Sequence, residues 1–578
     1  MSIRSKTTHE RINTMKSEKL HEKREFPSVR ALVEWTGDFY NEKTAYSFRP
    51  KATKPEIVKK SFKELRDDVR ALASELLAMG CAGKHCALIG KFSYDWVLTY
   101  FATLSIGGIL VPLDREWTGE DLASTAERAD ISFLFCDEDI AEKAEVIAEK
   151  LSLVQPPVYL LPKESERTLA SLKEAGSVKY AENPDAYQNA PVDTMGMALL
   201  VFTSGTTGKG KGVMLSQNNV LSDLSDIIPY MDFSNKTVGV LPPHHTYGSS
   251  VMLIGHAMIG SEIYISSGLR YVQKELKEQK PGHLCLVPLY LETFYRKIQA
   301  NIKEKGKTKL VANMIKVSNA LRKVGIDLRR KFFAEIRAAF GGEVKMIISG
   351  GAPINPEILF FFEAIGIGTL NGYGITECAP IIAVNRSRRV VPGSVGPVID
   401  IDTVRIDDPN EDGEGEILVT GPNVMLGYYK DEAATRDAMT EDGYFRTGDY
   451  GKLVGDVLYI TGRKKNLIIL SNGKNVYPEE IENELIAVPG VLDIIVYEGQ
   501  SRRGMEHNAI VAEIYPDQDY ITKNNITDVE AHLKSYIDDY NRSAVPYKKI
   551  GVLKVRTEEF PKNTLRKIMR FKLDMSID

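Results

Sequence analysis

The chain has 578 residues, 43% apolar and 26% charged, so it is long enough for more than one globular domain and for large cores. A formal charge of −4 and a pI near 6.2 exclude bulk attraction to nucleic acid or acidic membranes, so any polyanionic ligand must be held at a local site. The five cysteines (Cys81, Cys86, Cys136, Cys285, Cys378) are an odd number with no CxxC pair, which argues against a disulfide framework or a zinc site and points to a reducing, cytoplasmic setting.

In chain order, residues 1–29 begin with seven Lys/Arg and four Glu among the first 25 residues and are expected to be a solvated or loosely helical charged tail without the apolar core of a signal peptide; a membrane-touching or partner-binding arm is the alternative. From about residue 61 helical and strand patterns alternate. "SFKELRDDVRALASELLAMG" has apolar residues at helical spacing and ends on Gly80, while "CALIG", "GGILVPL", "KTVGVLPP", "GSEIYIS", "HLCLVP" and "VKMIIS" read as short buried strands. This is the pattern of parallel α/β sheets. Residues 309–340 read as a long basic amphipathic helical stretch before the strand "VKMIIS". No apolar run is long enough for a transmembrane segment, and "ILFFFEAIGIGTL" is interrupted by Glu363. After about residue 390 closely spaced turns predict a small antiparallel, barrel-like β unit, and beyond the charged turn at 463–465 a compact α+β domain is expected over 466–578.

Residues 203–212, "TSGTTGKGKG", nearly fit a P-loop, with Gly205, Gly210 and Lys211 in place. Gly212 stands where a Ser or Thr would hold Mg²⁺. A P-loop must also run straight into a helix, whose free N–H groups help bind phosphate. Here "GVMLS" follows, so the reading is strand, loop, strand, with a helix starting only after Ser216 as N-cap.

In order along the chain, "LVFTSGTTGKGKGVMLS", "LPPHHTYGSS", "SGGAPI", "NGYGITE", "YFRTGDYG", "YITGRKKNLIILSNGKNVYPEEIE" and "PKNTLRKIMR" resemble the motifs of the AMP-forming acyl-CoA synthetase superfamily, long-chain fatty acid–CoA ligases among them. The resemblance spans about residues 30 to 572. It implies an AMP-binding domain over 30–462, a hinge at 463–465 and a small mobile lid domain over 466–578. It also implies ATP, Mg²⁺ and CoA as the small molecules used. The reaction would join a carboxylate to the α-phosphate of ATP, release pyrophosphate, and pass the acyl group to a thiol. The acceptor is CoA or the phosphopantetheine of an acyl carrier protein.

By the same resemblance Thr203, Ser204, Gly205, Thr206, Thr207, Gly208 and Lys211 would cradle the β- and γ-phosphates. Gly350, Gly351, Ala352, Asn371, Gly372 and Gly374 would shape the nucleotide slot, Tyr373 would stack on adenine and Thr376 would touch the α-phosphate. Glu377 would ligate Mg²⁺, Asp449 and Arg463 would hold the ribose, and Lys567 would bridge ribose and carboxylate. His245 would stand at the acyl pocket. Lys465 would be the hinge about which Lys567 and then the turn at Gly473 reach one active site. Two departures stand out: Gly210 replaces a proline, and Arg566 replaces a glycine. Amino-acid-activating relatives carry an aromatic–Asp pair where this chain has Tyr247 and Gly248, which points to an acid without an α-amino group, a fatty acid. A P-loop NTPase releasing ADP is the competing reading, and Gly212 speaks against it.

Overall fold

Amphipathic helices and short buried strands alternate through the first two-thirds of the chain, as the sequence predicts. A computed structural model describes residues 17–160, 165, 167–203, 210–470, 475–499, 509–562 and 567–577. The helix Phe62–Ala78 shows how local sequence builds one layer. Ser61 and Glu64 form a reciprocal capping box at its start, and Phe62, Leu65, Val69, Leu72 and Leu76 form its buried face.

A seven-stranded sheet runs in the order Gly427–Tyr428, Gly212–Ser216, Met197–Phe202, Ile109–Pro112, His85–Ile89, Phe133–Cys136, Val158–Tyr159; its last five strands are parallel. A second sheet joins Thr44–Phe48, Glu262–Ile265 and Lys236–Gly239 in parallel, with Val58–Ser61 antiparallel at the edge. In a third, His283–Leu286, Met346–Ser349 and Gly368–Gly374 are parallel and Ile381–Val384 turns back antiparallel. The expected antiparallel unit is a five-stranded sheet built from residues 396 to 463.

Beyond it, the strands Val491–Gly499, Ala509–Pro516 and Val552–Val555 form a separate sheet. The helices Pro478–Leu485 and Val529–Ser543 close over it around Ile481, Leu485, Val496, Ala512 and Leu533. All five cysteines are free and buried. Among the described residues no helix is long and apolar enough to cross a membrane.

Two expectations change. The stretch 309–340 is not one helix: Thr308–Arg322 ends before Gly325, whose φ of +82° is left-handed, and only short turns follow. Residues 17–28 are not a free tail. The N–H groups of Leu20 and His21 donate to the Pro229 carbonyl at 2.7 and 3.2 Å, Arg24 lies over the Trp35 ring at 4.8 Å, and Lys19 lies over Tyr230 at 5.6 Å. Charge in this segment covers aromatic surface while its ends stay in water. Residues 1–16 lie outside the described residues.

Candidate active site

Parallel strands collect ligand groups at their carboxyl ends, and this chain follows that rule. Ser349 is in parallel register with Asn371, so the turn Gly350–Gly351–Ala352 runs beside Gly372, Tyr373 and Gly374. A Cβ on Gly350 would sit 3.6 Å from the Gly372 carbonyl and 3.8 Å from the Tyr247 ring. Gly374 has no room for a side chain, since a Cβ there would meet the Pro380 carbonyl at 1.8 Å. A cavity of about 390 Å³ opens beside this strand and touches the candidate residues only through Asn371.

Thr376 and Glu377 follow in the one-turn helix Thr376–Cys378. The Tyr428 hydroxyl donates to Glu377 Oε1 at 3.1 Å, and the Lys211 ammonium stands 4.4 Å from the Tyr428 ring. Burial pushes the Glu377 carboxyl above its ordinary range, opposed by hydrogen bonds to the charged form. A carboxylate oxygen is the donor type that suits Mg²⁺.

Asp449 and Arg463 are cross-strand partners in the five-stranded sheet. Arg463 Nε forms an ion pair with Asp449 Oδ1 at 3.1 Å, and the Tyr373 hydroxyl donates to Oδ2 at 2.8 Å. Asp449 is only 4% exposed. A carboxylate has about four lone-pair sites, so acceptor capacity remains for a diol. Tyr373 is thereby tied to Asp449 through its hydroxyl.

Lys567 comes from the C-terminal unit and lies close enough to this group to feel the charges of Arg463 and Asp449. The surrounding protein lowers its pKa to about 8, first by desolvation and then by the Arg463 charge, with Asp449 acting the other way. Lys567 also helps hold His245 well below the ordinary histidine range, after burial and the neighbouring His244. His245 is therefore neutral at pH 7. The rings of His244 and His245 lie 4.3 Å apart, and His244 Nε2 faces Asp114 Oδ2 at 3.7 Å.

The segment that follows the glycine loop is a strand, not a helix. Met197–Phe202 and Gly212–Ser216 are antiparallel, and the Thr203 N–H donates to the Lys211 carbonyl at 3.0 Å across the neck. The helix Gln217–Ile227 begins only after Ser216, which caps it as expected. Ser204, Gly205, Thr206, Thr207 and Gly208 lie outside the described residues, as do Gly473 and Arg566. Gly210 is held from a distance: Arg128 Nη2 donates to its carbonyl at 3.0 Å while the guanidinium lies 5.2 Å from the Phe202 ring. Neither Arg128 nor Tyr428 carries a local sequence signal, because each acts on a residue more than fifty positions away.

Behind the histidines, Tyr247–Gly255 forms a wide π-helical stretch. The Tyr247 hydroxyl donates to the Ile348 carbonyl at 3.0 Å. A Cβ on Gly248 would meet the Pro242 carbonyl at 2.1 Å, so no carboxylate side chain fits there.

The fold is that of a mixed α/β enzyme whose strand ends bring cations, carboxylates and hydroxyls together. Residues 33–429 match the AMP-binding enzyme family, and the chain belongs to that family. Over 492 residues it is 28% identical to long-chain-fatty-acid–CoA ligase 5 of Rattus norvegicus, with 79% of this chain and 71% of the relative covered. Long-chain-fatty-acid–CoA ligase FadD15 of Mycobacterium bovis is 29% identical, with 75% of this chain and 74% of that protein covered. Among solved structures, ATP-bound MatB from Rhodopseudomonas palustris superposes with a TM-score of 0.73 at 24% identity, covering 94% of this chain and 97% of that one. The anthranilate CoA ligase AuaEII gives a TM-score of 0.74 at 18% identity, covering 95% and 97%.

Proposed function

We propose that this enzyme is an ATP-dependent, AMP-forming acid–thiol ligase whose acid is a medium- or long-chain fatty acid and whose thiol is that of CoA. The observation that carries the reading is the meeting of Glu377, Asp449 and Arg463 from the large unit with Lys567 from the C-terminal unit. Gly248 supports the choice of acid, since there is no space for a carboxylate that would pair an α-ammonium.

The carboxylate nucleophile needs no general base, because an acid of pKa about 4 to 5 is ionised at pH 7. The barrier is repulsion between anions: two unit charges at about 4 Å repel by roughly 4 kcal/mol at an effective dielectric of 20. Lys211 and Arg463 supply fixed positive charge on the large unit, and Lys567 adds a third cation at the junction. Mg²⁺, held by Glu377, would neutralise phosphate charge. Asp449, with Arg463, would orient the ribose hydroxyls, and neutral His245 would border the acyl chain without adding charge. Positioning of the two anions then accounts for most of the rate.

We place the hinge at 463–465. The effect of the Arg463 and Asp449 charges on Lys567 supports the arrangement suited to adenylate formation; the thioester step would need the C-terminal unit to turn. Residues at a unit boundary that absorb a backbone change are a common device for such motion. The test is pyrophosphate release from MgATP over a panel of carboxylic acids, with and without CoA. AMP and pyrophosphate with fatty acids, and acyl-CoA once CoA is added, are expected; ADP and phosphate overturn the reading. Acyl-AMP that turns over only with a phosphopantetheinylated carrier protein would replace CoA as the acceptor.

A further inference from the structure

The helix Thr308–Arg322 has no part in the cleft. Val311, Met314 and Ile315 pack it against the core around Leu291 and Phe362. Its outer side carries apolar residues that nothing covers: Leu310 is 54% exposed, Val317 52% and Val324, just past the helix end, 72%. Ile326 follows at 47%. Leu310 and Val317 are spaced by seven on the helix, a step that drifts by only about 20° and so puts them on one ridge; Val324 follows past the helix end, in a last turn tightened by the Val324 N–H donating to the Leu321 carbonyl.

Lys309, Lys316 and Lys323 precede each of them and form a second ridge beside the first. Between 303 and 331 there are ten Lys/Arg against two acidic residues, Glu304 and Asp327, within a chain of net charge −4. Nearby carboxylates are already taken. Glu335 pairs with Lys305 and Lys307, Glu363 with Arg322 and Arg329, and Asp327 with Arg329. Among the described residues Lys309, Lys316 and Lys323 have no ion-pair partner.

We infer that this face docks on an anionic lipid bilayer, with Leu310, Val317 and Val324 entering the interface and the lysine ridge lying at the headgroups. Lysines alone would serve an acidic protein or a nucleic acid equally well. An apolar ridge in register with them fits a surface that is anionic outside and hydrocarbon inside. The inference goes beyond the catalytic reading and does not depend on it.

The test is co-sedimentation of the full chain with phosphatidylcholine vesicles and with vesicles that also contain phosphatidylglycerol, at low and high salt. Binding is expected only to the anionic vesicles and is expected to weaken with salt. The combined Lys309→Glu, Lys316→Glu and Lys323→Glu variant should lower the partition coefficient by about 100-fold or more. The combined Leu310→Ser, Val317→Ser and Val324→Ser variant should lower it by at least about tenfold. All six side chains are exposed, so unchanged thermal midpoints and unchanged acyl-AMP formation from a soluble acid are expected for both variants. Failure of the parent protein to bind anionic vesicles overturns the inference, as does binding by either variant equal to the parent's. Equal capture of parent and serine variant on immobilised polyglutamate, with no vesicle binding, would assign the face to an acidic protein partner instead.

Discussion

Lys567 should give adenylate formation a distinctive pH dependence. Its pKa is lowered to about 8 by desolvation and by Arg463. The cation is the useful form, because the chemistry brings anions together. The group is therefore active below its half-point and lost as pH rises through it. Part of the ammonium's environment is solvent, so the half-point for the free enzyme falls at or somewhat above 8. kcat/KM for ATP reports the free enzyme, so it should be flat from pH 6 to 7.5 and fall by up to about tenfold at pH 9. Bound triphosphate favours the cation, so the fall in kcat should lie at higher pH than the fall in kcat/KM. His245 is already neutral across this range and adds no acid limb. Lys567→Arg keeps its charge throughout and should abolish the alkaline fall, whatever it costs in placement. Lys567→Ala should slow adenylation by about 10² to 10³-fold. The assay is single-turnover acyl-AMP formation against pH, beside thioester formation from preformed acyl-AMP, which should show no such limb. The reasoning is refuted if Lys567→Arg keeps the parent's alkaline fall, or if the thioester step shares it.

The other predictions concern the groups around Lys567. Tyr373→Phe removes a hydrogen bond to the buried Asp449 carboxylate, and the KM for ATP should rise about tenfold with little change in the fold's thermal midpoint. Arg128→Ala frees the Gly210 carbonyl and should raise the KM for ATP several-fold; adding Gly210→Pro should recover most of that loss, since proline restores a fixed φ at the loop's end. An unchanged KM for ATP in both single variants would leave the loop's neck without influence on binding. Lys465→Pro, in the one-turn helix Lys464–Asn466, should leave adenylation within about threefold of the parent and cut thioester formation by tenfold or more; equal losses in the two half-reactions would remove Lys465 as the hinge.

Much of this architecture is legible in the sequence because it rests on local rules. The apolar run opened by β-branched Val213 directly after the glycine loop speaks for a strand there, and Ser216 is found capping the helix that follows it. The cleft is partly legible too. Asp449 and Arg463 lie on the two strands of one hairpin, and the pairing of those strands brings them together. What stays hidden depends on side chains that meet across long loops. The Tyr428 hydroxyl on Glu377 and the Arg128 guanidinium on Gly210 follow from sheet order, not from any pattern along the chain.

Charge is the least legible property, because composition states how much there is and not where it lies. Residues 17–28 look solvated, yet their cations lie over Trp35 and Tyr230 and their backbone is bound at Pro229. The 303–331 segment shows the opposite case. A net charge of −4 argues against an acidic surface as partner for the whole molecule, but a surface is sensed over a Debye length of about 10 Å at 0.1 M salt, not over the whole protein. Over that distance, the Lys/Arg excess of the 303–331 segment counts for more than the net charge of the chain. Bulk charge thus excludes non-specific attraction of the whole chain while leaving one basic face free to find an anionic bilayer.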